Sequence, residues 1–153
     1  MKAALLPLVV LASASAAGTG PPFTPTASIQ VTSPQRFNAS LGVALIEMGT
    51  LWGPKAGPLI RVEPGLGAGK LHLGGRLTLS MAWMDIFYAD ITASLMNTWG
   101  DTWGGLEKHQ TYLGGELRCG TGLLLGTLGI YRHVGGSDED HPWVVSLGAG
   151  LGI

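Results

Sequence analysis

The densest run of reactive side chains in the sequence is His133-Val-Gly-Gly-Ser137-Asp138-Glu139-Asp140-His141. Histidine, serine and carboxylate are the parts of an acyl-transfer site, in which His133 would take the proton of Ser137 while Asp138 orients the imidazole. Asp138, Glu139, Asp140 and His141 also offer ligands to a divalent cation. Consecutive residues point in different directions, however, and lack the spaced loop of a dedicated oxygen-ligand site. A solvated acidic loop explains the run with fewer assumptions, and the sequence implies neither a metal nor another cofactor.

A second set consists of Arg61, Glu63, Lys70, His72, Arg76, Asp90, Glu116 and Arg118. These residues are scattered along the chain, yet each falls on the polar phase of an alternating segment. If that phase faces inward they form an interior set of four strong cations, three carboxylates and one histidine. A buried charge without a partner costs several kcal/mol, so a plug of salt bridges is the expected arrangement, with an ion pathway as the alternative. Glu63-Pro-Gly65-Leu-Gly67-Ala-Gly69-Lys70-Leu71 lacks the first glycine and the final hydroxyl of a phosphate-binding loop, because Pro64 and Leu71 stand there. Cys119 is the only cysteine, which excludes an intrachain disulfide and a cysteine-based zinc site.

The elements that must position these groups alternate with a period of two almost throughout. Phe37, Ala39, Leu41, Val43 and Leu45 share one phase, and Asn38, Ser40, Gly42 and Ala44 share the other. Comparable alternations run from Ile60 to Ala68, Leu71 to Met81, Phe87 to Leu95, Gln110 to Cys119, Leu124 to His133 and Trp143 to Ile153. A shorter one at Ile29 and Val31, over 27–32, would supply an eighth strand. Turn signals fall at Trp52-Gly53-Pro54, Gly67-Ala68-Gly69 or Gly74-Gly75, Gly100-Asp101, Gly120-Thr121-Gly122 and Gly135-Gly136.

Lys2, the apolar run Ala3 to Ala12 and the small residues Ser13 to Ala17 have the layout of a secretory signal. The expected organisation is a signal peptide over 1–16, a linker over 17–26 and a β-barrel domain over 27–153. Charged residues are only 12% of the chain, about half the usual share of a soluble domain, so something other than water should face much of the surface. Without Lys2, eight basic residues oppose ten acidic ones, a net charge of −2 that disfavours nucleic acid as a partner.

Trp52, Trp83, Trp99, Trp103 and Trp143 all lie at strand ends or in connections, where an interfacial girdle would place them. Strand lengths cluster near the ~9–11 residues that cross a bilayer at a tilt. With the signal, these strands and the terminal run Trp143-Val-Val-Ser-Leu-Gly-Ala-Gly-Leu-Gly-Ile153, the chain resembles the small bacterial outer-membrane β-barrel class. The resemblance is architectural and covers 27–153. It implies an all-β, up-and-down antiparallel transmembrane barrel of eight strands, in contact with outer-membrane lipid after signal cleavage. The expected role is non-enzymatic: structural, or carried by interactions of the outer loops with a partner the sequence does not identify. Two alternatives stand beside it. One is a lipid-modifying acyl hydrolase; the lipid A deacylases carry a His-x-Ser-Asn run, but here Gly135 and Gly136 occupy the serine and asparagine places. The other is a soluble secreted barrel that holds an apolar ligand against its leucine face.

Overall fold

A computed structural model describes residues 23–46, 52–81, 84–136 and 141–153. Eight antiparallel strands form a closed barrel: β1 (Phe23–Thr32), β2 (Arg36–Leu45), β3 (Trp52–Pro64), β4 (Ala68–Met81), β5 (Met84–Thr98), β6 (Thr111–Thr121), β7 (Leu124–Gly135) and β8 (Trp143–Gly152). Each strand pairs with its sequence neighbours. β1 closes the sheet on β8 from Ser28↔Gly152 to Thr32↔Gly148. Ala27 and Ile153 extend the seam, each amide donating to the other's carbonyl at 3.1 and 2.9 Å. Closure leaves the ladder without a free pair of edges, which an open sheet of this apolarity would expose.

The alternation sorts the two faces. On β2, Asn38 and Ser40 are buried while Phe37 and Leu41 are exposed. On β6, Tyr112, Glu116 and Arg118 are buried while Leu113 and Leu117 are exposed. The leucine phase therefore coats the outside and the polar phase fills the lumen. Close packing inside requires glycine at specific places: a Cβ on Gly120 would lie 2.3 Å from the Tyr88 ring, and one on Gly148 would lie 2.1 Å from Thr32. These glycines make room for larger side chains on neighbouring strands.

Three sequence expectations are corrected. β1 starts at Phe23, not 27, so the last residues of the expected linker are strand. Pro25 is tolerated there because β8 reaches only as far as Ser28 on that side, and no ladder bond is lost. Trp52-Gly53-Pro54 is not a turn but the start of β3, paired with Met81, Ser80 and Leu79 of β4. Among the described residues β2 makes no ladder pair with this stretch. Finally, the strand expected to run from Ile60 to Ala68 ends at Pro64. Leu66 lies in the turn, 67% exposed, while Ala68 opens β4 facing inward; Gly69, Gly74 and Gly75 are within β4.

With these boundaries the connections are divided between the two ends of the barrel. Phe23, Ile153, the 46–51 and 82–83 connections and the Gly122-Leu123 turn share one end, here the short-turn end. The 33–35, 65–67, 99–110 and 136–142 connections share the other, the loop end. The 99–110 segment folds across that end. Trp103 donates its amide to the Pro34 carbonyl at 3.0 Å, and the Thr98 hydroxyl donates to the Glu107 carbonyl at 2.6 Å. Leu106 is thereby buried with Ala68, Met96, Tyr112, Tyr131 and Val144 as an apolar cap over the lumen.

Candidate functional site

The lumen is occupied by one network to which every strand contributes. Arg61, Glu63, Lys70, His72, Arg76, Asp90, Glu116 and Arg118 are all inside, and none is more than 4% exposed. The first half of the network centres on Asp90 of β5. Arg61 of β3 donates to its Oδ2 at 2.6 Å, and Arg76 of β4 donates to Oδ1 and Oδ2 at 2.7 and 3.1 Å. The Arg76 guanidinium also lies 4.2 Å from the centroid of the Tyr88 ring. Planar guanidinium suits this role because one group can bridge two acceptors while stacking on an aromatic face.

The second half centres on two glutamates. Lys70 of β4 donates to Glu116 Oε2 at 2.8 Å and to the Ser146 hydroxyl of β8 at 3.0 Å. Tyr131 of β7 donates to the same Glu116 oxygen at 2.8 Å. Arg118 of β6 reaches across to ion-pair with Glu63 of β3, and its Nη1 donates to Ser28 of β1 and Ser40 of β2 at 3.1 and 3.2 Å. Gln30 of β1 donates to the same Glu63 oxygen, Oε2, at 2.8 Å. The seryl, glutaminyl and tyrosyl partners were not singled out by charge. Their sequence signal is their position on the polar phase, shared with the ions they serve.

His72 lies between the two halves. Its Nδ1 is 2.7 Å from the Ser94 hydroxyl, while its Nε2 has no hydrogen-bond partner among the described residues. Glu63, His72 and Glu116 each bring a potential ligand atom within 4.8 Å of the others. A metal ion does not fit the surrounding charge, because Lys70 and Arg118 already contact those carboxylates and Arg61 is 3.5 Å from Glu116 Oε1. A divalent ion would sit among three fixed cations in a low-dielectric interior. Unpartnered acceptors on Glu63, His72 and Glu116 stand beside unpartnered donors on Arg61 and Arg118. Donors and acceptors in one place are what a few bridging waters satisfy.

Of the three acyl-transfer candidates only His133 is among the described residues. His133 of β7 is half-buried at the loop end, its Nε2 3.0 Å from Gln110 Oε1 and its ring edge-on to Tyr112 at 5.2 Å between centroids. Ser137 and Asp138 lie outside the described residues. Among the tryptophans, Trp99, Trp103 and Trp143 are exposed at the loop end, and Trp52 opens β3 at the short-turn end. Trp83 lies outside the described residues. Trp99 lays its ring over Gly69, where a Cβ would approach to 2.1 Å.

The arrangement ties strands to one another across the barrel. The charged side chains are consumed by one another, the cap formed with Leu106 closes the loop end, and the leucine phase faces outward, so an apolar ligand inside would meet ions instead of leucines. Set against protein-family models, curated proteins and solved structures, the chain matches none of them.

Proposed function

We propose that this protein is exported on residues 1–16 and inserts in the bacterial outer membrane as a non-enzymatic eight-stranded barrel. Its role is structural or is carried by interactions of its loop end. The observation that carries the reading is the inversion of polarity. Midway along the strands the outward residues are apolar, among them Leu73, Ile91, Leu117, Leu128 and Leu147 at 42 to 67% exposure, while the charges are inside. Monomeric soluble proteins rarely expose contiguous apolar patches beyond a few hundred Å². Hydrocarbon solvates such a belt, and closure of the barrel pairs backbone groups between every two neighbouring strands.

The distribution of connections supports the same reading. The two longest connections, 99–110 and 136–142, lie at the end opposite Phe23 and Ile153, and the two-residue connections lie at the end with them, as in outer-membrane barrels, whose longer loops are outside. The test is membrane fractionation with a heat-modifiability gel. A folded barrel in the outer-membrane fraction should migrate differently before and after boiling. Recovery as a freely soluble periplasmic protein would overturn the proposal.

A further inference from the structure

From Val62 through Leu71, Leu95, Leu113 and Arg132 to Trp143, successive cross-strand partners form one outward row from β3 to β8. Arg132 is its charged member. Between the strand ends it is the one charged side chain among the described residues that faces outward: Leu128 and Ile130 precede it on that face of β7, while Tyr131 and His133 face in. The row is not level, because the strands of a closed barrel are tilted and a row across them climbs. Followed the other way it passes through Leu41 to Ala27, which is bonded to Ile153 at the short-turn end; it finishes at Trp143, the first residue of β8 at the loop end. Arg132 is therefore near its upper end. One outward position beyond Leu95 and Leu113 the wall turns polar, with the Asn97 amide donating to the Thr111 hydroxyl at 3.0 Å.

We infer that Arg132 binds the phosphate of a lipid headgroup in the leaflet at the loop end. The inference rests on the membrane reading above and deepens it by naming the partner of that rim. A charge on the lipid face is costly at the midplane and nearly free at the interface. Leu124 opens β7 eight residues before Arg132, about 26 Å along the strand and about 20 Å along the membrane normal at a tilt of about 40°. That approaches the ~25 Å height of an apolar band, so the guanidinium reaches the headgroups when the side chain extends toward the loop end. The guanidinium lies 6.0 Å from the centroid of the Trp143 ring, and Trp143 is 62% exposed. Indole settles at headgroup level, so this contact holds the arginine at the depth of the phosphates. The planar fork of N–H groups then matches two phosphate oxygens at once.

The experiment is solid-state NMR of the full chain, carbon-labelled at arginine and refolded in phosphatidylglycerol bilayers, reading the dephasing of guanidinium carbon by lipid phosphorus. Arg61, Arg76 and Arg118 are buried in the lumen and should contribute none. The wild type should show dephasing at the short range of a hydrogen-bonded pair. Arg132→Gln should abolish it, whereas Arg36→Gln, at the exposed start of β2, should leave it unchanged. Dephasing that survives Arg132→Gln, or a wild type inserted in the bilayer without dephasing, would overturn the contact. The competing partner is the acidic run Asp138-Glu139-Asp140, which lies outside the described residues. Dephasing that is absent in the wild type and emerges in the Asp138→Asn/Glu139→Gln/Asp140→Asn variant would assign Arg132 to its own loop and overturn the lipid contact. Heat modifiability of each sample is read separately: a folded barrel in the bilayer without dephasing sinks the phosphate contact alone, and a chain that does not insert sinks the membrane reading with it.

Discussion

Arg118 of β6 forms an ion pair across the lumen with Glu63 of β3, two strands that share no ladder. The contact ties opposite walls where backbone hydrogen bonding cannot. Breaking it from one side leaves a charge buried without its partner, which costs about 3–5 kcal/mol, whereas replacing both partners by apolar residues of similar volume can be nearly neutral. Glu63→Ala should therefore lower the unfolding midpoint in urea strongly. The Glu63→Leu/Arg118→Met double variant should recover most of the loss. Additive losses in the double variant would show that the two residues act independently.

Packing within the lumen makes a second prediction. Gly120 faces Tyr88, which in turn carries the Arg76 guanidinium. Gly120→Ala must displace the Tyr88 ring and should cost about 1–3 kcal/mol by overpacking. Tyr88→Leu in the same chain should relieve most of that cost, although it forfeits the stacking contact. Thermal heat-modifiability curves of the two single variants and the double variant measure the coupling.

Much of this architecture was legible because period-two patterning survives in the composition. The sequence puts Arg61, Glu63, Lys70, His72, Arg76, Asp90, Glu116 and Arg118 on the polar phase, and all eight are in the lumen. The start of β3 was not legible, since Gly53, Pro54, Gly57 and Pro58 have the chemistry of a turn. They are strand because each pairs with a residue of β4, from Gly53↔Ser80 to Pro58↔Gly75. Leu106 was invisible for a different reason: its burial depends on the 99–110 segment folding across the barrel end, and no local periodicity encodes that fold-back. Pairing was equally hidden, because phase assigns Arg118 to the interior without saying that it meets Glu63 rather than Asp90.

Catalysis at His133 is expected to be absent. Its Nε2 is engaged by Gln110, and Gly135 and Gly136 replace the serine and asparagine of the deacylase run. Mass spectra of lipid A from cells carrying the wild type and His133→Ala should be identical. Loss of an acyl chain in the wild type alone would establish the hydrolase.

The outward face gives the sharpest discrimination between a membrane barrel and a soluble one. Leu117 is at the middle of β6, opposite Ile91 and Leu128, and is 42% exposed. At the midplane of a bilayer, Leu117→Arg should cost about 2–4 kcal/mol, and Thr121→Arg, at the short-turn end of the same outward row, only about 0–1 kcal/mol. In water both substitutions would be surface changes, usually within about 0.5 kcal/mol of neutral. Unfolding titrations of the two variants refolded in phospholipid vesicles provide the comparison. A steep dependence on position along β6 supports hydrocarbon around the leucine belt; equal, small effects would mean that water surrounds it.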